Sequence, residues 1–258
     1  MASKGGGAQP TRTYTATALT LLVRKYRGTE RVVTFYSQER GRIEAVAKGV
    51  GKPGSTLAPA VEMFALSKLL LRQGRDLDHL SQAEVVDSFY ELRDNMRRLA
   101  YASYVAELVA RTTEVGEASP GLFELLIGTL QTLRTAADPE PLTWAFGLRL
   151  LDMLGLAPQL EACTNCGSPA DTRTAYSPAE GGIICGRCRG HIEAGLEISL
   201  PALAAVRALR SFAMDAIGRV KVSPQAAREI RRLLQMHIGY HMGIELRSQE
   251  FLVKMAAH

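Results

Sequence analysis

The 258-residue chain is poor in cysteine: it has four, all between residues 163 and 188. A disulfide framework spread along the chain is thereby excluded, and two C-x-x-C pairs in one short segment suit a reducing compartment and a metal instead. No run of 18 apolar residues occurs, and the opening MASKGGGAQP holds no apolar stretch of signal-peptide length, so a soluble, cytoplasmic protein with no membrane partner is expected. A catalytic signature is missing too. Gly49 to Gly54 spell GVGKPG, but a dinucleotide fingerprint must close a strand and open a helix, which Pro53 and Gly54 prevent, and Lys52 before proline does not complete a Walker loop. His237 and His241 share a helical face with no Glu beside them in the H-E-x-x-H manner. Glu84, Asp87, Glu91 and Asp94 fall at the spacings of a solvated helix face. With no nucleophile and base in view, the chain is read as no enzyme.

What is present is an uneven charge. The whole chain carries a formal net charge of +5; residues 1–80 hold 13 Lys or Arg against 6 Asp or Glu, residues 81–162 hold 6 against 12, and residues 163–258 hold 12 against 8. A basic first region beside an acidic second one points to a polyanion partner for the first and a separate task for the second.

Periodicity divides the chain in the same way. Residues 1–13 read as a loose tail. TYTATALTLLVRKY, then RVVTFYS and GRIEAVA around a turn at Glu39 to Gly41, then two strands in VEMFALSKLLLRQGRDLDHL separated at Gln73 and Gly74, make five short strands over 14–80. A small closed barrel is the economical expectation, with an SH3-like barrel as the alternative. From Ser81 the period turns helical: Ser81 and Glu84 form a capping box before Val85, Phe89, Leu92, Met96 and Leu99. Further helices are expected from Ser119 and Pro120, over PLTWAFGLRLLDMLG, over PALAAVRALRSFAMDAI, and from Ser223 and Pro224. The predicted fold class is α+β: a small β-barrel (14–80) followed by an all-helical domain (81–258) that carries an inserted zinc-ribbon-like segment (160–192).

Within that segment Cys163, Cys166, Cys185 and Cys188 give C-x2-C-x18-C-x2-C. Two such knuckles can present four thiolates as a tetrahedron, which suits structural zinc and leaves no open position for catalysis. An iron–sulfur centre could use the same four ligands. A redox C-x-x-C should open a helix in a βαβ context, which neither pair does.

The residues best placed for a sugar-phosphate backbone are Arg24, Lys25, Arg27 and Arg31 near the first turn, Arg40 and Arg42 near the second, and Lys48 and Lys52 near the third. Tyr14, Tyr26, Phe35 and Tyr36 are candidate stacking rings. Phe35 and Tyr36 are neighbours in one strand, so one points inward and the other faces out or is covered. Arg228, Arg231 and Arg232 cluster on the last of those helices, where they bind phosphate or face solvent.

ALTLLVRKYRGTERVVTFYSQERGRIEAVAKGV at 18–50, LRDNMRRLAYASYVAEL, FGLRLLDMLGLAPQLEACTNCGS with GGIICGRC, and GIELRSQEFL together resemble the bacterial recombination mediator family RecO, over about residues 14–254. The resemblance implies an OB fold, a helical domain and a zinc site at the four cysteines. It implies binding of single- and double-stranded DNA, strand annealing, a partnership with RecR, loading of RecA onto strands coated by single-strand-binding protein (SSB), and a nucleoid location. By position it carries DNA contacts to Arg24, Lys25, Arg40, Arg42, Lys48 and Lys52, and leaves Arg228, Arg231 and Arg232 as candidates for the acidic SSB tail. The stretch KGVGKPGS departs from the family by having fewer charges at the third turn. The alternative is a zinc-containing recruitment scaffold in DNA repair that touches DNA only incidentally.

Overall fold

A computed structural model describes residues 12–191 and 195–256. The expected tail over 1–13 lies outside them except for its last two residues. The chain forms two compact units, one made of residues up to Arg93 together with Val109–Phe123, the other of Asp94–Leu108 together with Glu124 onward.

In the first unit five strands form the framework: β1 (Thr13–Lys25), β2 (Arg31–Ser37), β3 (Gly41–Ala47), β4 (Leu66–Arg72) and β5 (Asp78–Asp87). β1 pairs antiparallel with β2 and with β4, β5 pairs antiparallel with β4 and parallel with β3, and the order β1-β2-β3-β5-β4 closes on itself. Side chains alternate across a strand, so Ala16 and Ala18, Val33 and Phe35, Ile43, Ala45 and Ala47, and Leu69 and Leu71 all point into one core. Tyr36, on the other face of β2, is fully buried as well. It is covered: its phenol lies beside the Ser119 backbone, in the Val109–Phe123 segment that belongs to this unit.

The second unit contains α4 (Glu140–Met153), which buries Leu142, Trp144, Phe146, Leu148, Leu150 and Leu151. A helix apolar nearly all round must sit inside its unit. It packs against α5 (Leu200–Ser211) and α6 (Pro224–Met242). Ser199 and Ser223 cap those two helices, their hydroxyls accepting from the Ala202 and Ala226 N–H groups. The remaining helices are α1 (Tyr90–Arg93), α2 (Met96–Thr112), α3 (Pro120–Leu133) and α7 (Arg247–Ala256). Sequence periodicity did not point to α7.

The expected fold class, an OB-fold β-barrel followed by an all-helical domain with an inserted zinc-ribbon-like segment, is corrected. The first sheet is mixed through its parallel β3–β5 pair and runs to Asp87, past the expected end at residue 80. The later region is not all-helical. It holds a second sheet ordered β7-β6-β8, from β6 (Ala175–Ser177), β7 (Gly182–Ile184) and β8 (Leu196–Glu197). β8 lies outside the expected ribbon, so the cysteine segment is not a free two-stranded insert; three-residue strands bury too little alone and take a third partner. The helix expected from Ser81 starts later than its capping signal, with α1 at Tyr90 and α2 at Met96. Ser81 and Glu84 lie in β5, where Ala83, Val85 and Asp87 are half-buried and Gln82, Glu84 and Val86 exposed. Pairing with β4 outweighs a capping signal.

Candidate nucleic-acid interface and metal centre

Five of the basic residues of the first unit line two grooves, Arg75 lining both. One is open and lined by Tyr26, Arg27, Lys48, Arg75 and His79, with Glu30 and Asp76 also on its wall. It exists because the β1–β2 turn, the end of β3 and the β4–β5 loop meet at one end of the sheet. Tyr26 is 46 % exposed, and the Arg27 guanidinium lies 5.0 Å from its ring centre. Such a pair offers an aromatic face and a fixed positive charge together.

The second groove is lined by Tyr14, Arg40, Arg42, Gly74 and Arg75 but also by Glu39, Glu44, Asp76 and Asp78. Its cations are largely engaged. Arg40 stacks 4.1 Å from the Tyr14 ring centre, and the Tyr14 hydroxyl donates to Asp78. Burial is the main reason the Tyr14 phenol is pushed up, and the hydrogen bond to Asp78 adds to it. Arg42 donates to the Ala110 carbonyl at 2.7 Å, and Gly116 N–H donates to the Arg42 carbonyl. Arg42 therefore clamps the Val109–Phe123 segment onto β3.

Of the other expected contacts, Arg24 is exposed at the end of β1 and pairs with Glu44 at 3.5 Å. Lys25 and Lys52 are exposed outside both grooves, and Arg31 donates to the Glu30 carbonyl at 2.9 Å. Phe35 and Tyr36 are fully buried, which removes both from the set of stacking rings. Arg75 and His79 were missed by sequence reasoning. Arg75 stands in the turn RQGRD, whose basic character was the available signal.

In the second unit the cysteine sulfurs of residues 163, 166, 185 and 188 all lie within 4.8 Å of one another, with Cys166 and Cys185 at 3.6 Å. All four are free thiols. Ligands at about 2.3 Å from a zinc in a tetrahedron stand about 3.8 Å apart, so the sulfurs present fit such an ion. The backbone builds the knuckles: Gly167 N–H donates to Cys163 O, Cys188 N–H to Cys185 O, and Thr164 N–H to Ile183 O. Gly182 has a reason to be glycine, since a Cβ there would stand 2.4 Å from the Gln159 carbonyl.

The thiols are electrostatically unlike. Burial pushes Cys163 up, but N–H donors from Cys185, Cys166 and Asn165 outweigh it and bring the thiol below its usual range. Ser168 donors hold Cys166 down at about 6. Cys188 is raised to about 12, chiefly by its hydrogen bond to Cys166 and then by burial.

A family model described as "Recombination protein O N terminal" matches residues 12–89, and one described as "Recombination protein O C terminal" matches residues 93–250. The chain is 38% identical over 239 residues to the DNA repair protein RecO of Pelotomaculum thermopropionicum, covering 93% of each chain. It is 35% identical to that of Symbiobacterium thermophilum, over 93% of this chain and 96% of the relative, and 33% identical to that of Alkaliphilus metalliredigens, over 85% and 89%. The chain belongs to the RecO family.

Membership carries a role in DNA repair and recombination mediation, a non-enzymatic one. Among the described residues of this RecO-family chain, no helix is long and apolar enough to cross a membrane. Its three α6 arginines are not equivalent. Arg228 and Arg232 are exposed, whereas Arg231 is half-buried and bonded to Glu140 at 2.7 Å, beside Tyr101, Tyr104 and Trp144. Burial raises the Glu140 carboxyl, and the Arg231 hydrogen bond and charge oppose that rise.

Proposed function

We propose that this chain is a DNA-binding recombination mediator that anneals complementary single strands and, with RecR, helps to load RecA onto SSB-coated DNA. The observation that supports it best is the open groove of Tyr26, Arg27, Lys48 and Arg75 in a chain of this family. A cationic surface raises the local concentration of two strands and lowers their mutual repulsion, and base pairing then supplies the free energy. No nucleotide hydrolysis is required. In this reading residues 14–80 carry DNA contact, with Arg27 and Lys48 central and Arg24, Lys25, Arg40 and Lys52 contributing long-range charge. Residues 81–258 serve protein partners, with exposed Arg228 and Arg232 available to the acidic SSB tail. The four cysteines hold a structural zinc whose task is to fix the two knuckles.

The test is annealing of two labelled complementary oligonucleotides without nucleotide, at low and moderate salt. Acceleration that fades with salt, and that R27A/K48A/R75A abolishes, supports the reading. Absence of acceleration at low salt overturns direct annealing and leaves a recruitment scaffold. Cysteine-to-serine change at 163 and 166 should release the zinc without removing the DNA groove.

A further inference from the structure

A divalent ion held by four thiolates carries a net charge of −2, and such a centre is most open to acid, chelators and electrophiles where a sulfur meets solvent. Here that point is Cys166: it is exposed, while Cys163 and Cys185 are buried and Cys188 is half-buried. Three arginines stand nearby, and the structure separates their roles. Arg189 is committed to Glu197 at 2.8 Å. Arg173 packs over Gly186, where an added Cβ would stand 2.8 Å from its side chain, and its charge lies beside Asp171. The Asp171 carboxylate in turn accepts from Gly186 N–H at 3.1 Å.

Arg187 differs. It sits between Cys185 and Cys188 in the second knuckle, yet its Nη2 donates to Ser168 Oγ at 2.5 Å, two residues beyond Cys166 in the first. Its charge lies beside the Cys166 and Cys185 sulfurs. One side chain thus bridges both knuckles across the exposed side of the cluster.

We propose that Arg187 is a metal-retention residue, positioned by Ser168 across the Cys166 sulfur so that it screens the charge of the four-thiolate centre and covers its solvent-facing edge. The proposal rests on the structural-zinc reading. Arginine suits the task because its planar fork can donate to the Ser168 hydroxyl while its delocalised charge faces the sulfurs, which an ammonium group does not match. Groups that bond to metal ligands typically alter metal affinity by about 10- to 100-fold.

The experiment uses the full chain, loaded with zinc and assayed for zinc content, then followed for zinc release to a chromogenic chelator at constant pH with and without N-ethylmaleimide. R187A is expected to release zinc about tenfold faster than the parent or more, R187K to fall between them, and R173A to stay near the parent. In the cobalt-substituted protein, R187A should shift the sulfur-to-metal charge-transfer band, a change that loss of packing alone would not produce. S168A should speed release, and adding it to R187A should have little further effect, because the two act through one contact. Equal release from R187A and the parent, or an equal effect of R173A and R187A, overturns the proposal. A parent chain that takes up no stoichiometric zinc overturns the metal reading itself and the proposal with it.

Discussion

His237 of α6 is buried at 1 % exposure, an unusual place for a titratable ring. Its Nε2 bonds to the Leu156 carbonyl at 2.6 Å and its Nδ1 to the Tyr176 hydroxyl of β6. The carbonyl only accepts, so Nε2 carries the proton and neutral Nδ1 accepts from Tyr176. The His241 ring stands 4.3 Å away. Burial lowers the folded-state value below 6.5, the Leu156 bond opposes this, and the His241 charge adds to it. A base with a depressed value takes up fewer protons folded than unfolded, so stability rises with pH through that window. The unfolding midpoint is therefore expected to fall as pH drops below about 6.5, and H237Q should flatten that slope even if it lowers the midpoint at pH 8. Equal slopes for parent and H237Q between pH 5 and 8 would remove His237 from the account. Gly41 is the other residue where one atom decides much. Its φ is +62°, and a Cβ there would lie 1.7 Å from the Glu117 carbonyl. G41A should destabilise by roughly 3 kcal/mol, combining left-handed strain with displacement of the segment that covers Tyr36. G54A, at φ +76° with open space around it, should lose only about 1 kcal/mol. Urea unfolding of both variants checks the contrast.

At the scale of elements, β5 shows what the sequence carried and what it hid. The hairpin turn at Gly41, the caps at Ser199 and Ser223 and the cysteine knuckles were legible because each depends on residues close together in the chain. The continuation of β5 beyond Leu80 was not, because SQAEVVD suits an exposed helix start and a half-buried strand about equally, and β4 breaks the tie from outside the local sequence. β8 and the parallel β3–β5 pair were hidden for the same reason: two residues of strand acquire meaning only from a partner. In the candidate interface, residues at turns were visible as basic, but Arg42 proved to be a clamp and Arg31 a local donor. Which charge remains free depends on carbonyls contributed from distant positions. The register of β5 has a direct test. Lys68 and Glu84 stand opposite one another and both are exposed. E84K should destabilise by about 0.5 kcal/mol by placing like charges together, and K68E/E84K should recover most of that loss. Independent effects in this double-mutant cycle would contradict the strand pairing; a helix at this position would place the two residues elsewhere.

For the whole molecule the question is where its positive charge is useful. A net charge of +5 gives weak attraction to any polyanion, and many of the cations behind it are already engaged: Arg210 with Asp152, Arg231 with Glu140, Arg97 with Asp138 and Arg207 with Glu161. Exposed pairs of this kind contribute little to stability, but they withdraw charge from the surface potential. The first unit keeps Arg27 and Lys48 turned toward an open groove, so the salt dependence of DNA affinity should depend chiefly on that groove. Each phosphate neutralised on a single strand contributes a slope of about −0.7 to the plot of log affinity against log salt. R27A/K48A/R75A should therefore make the slope shallower by about 2, with the largest affinity loss at low salt, whereas R228A/R232A should leave it nearly unchanged. Fluorescence anisotropy with a labelled single strand, titrated at several salt concentrations, measures both. If the α6 variant flattens the slope and the groove variant does not, phosphate is held by the helix, and the assignment of DNA contact to residues 14–80 has to be given up.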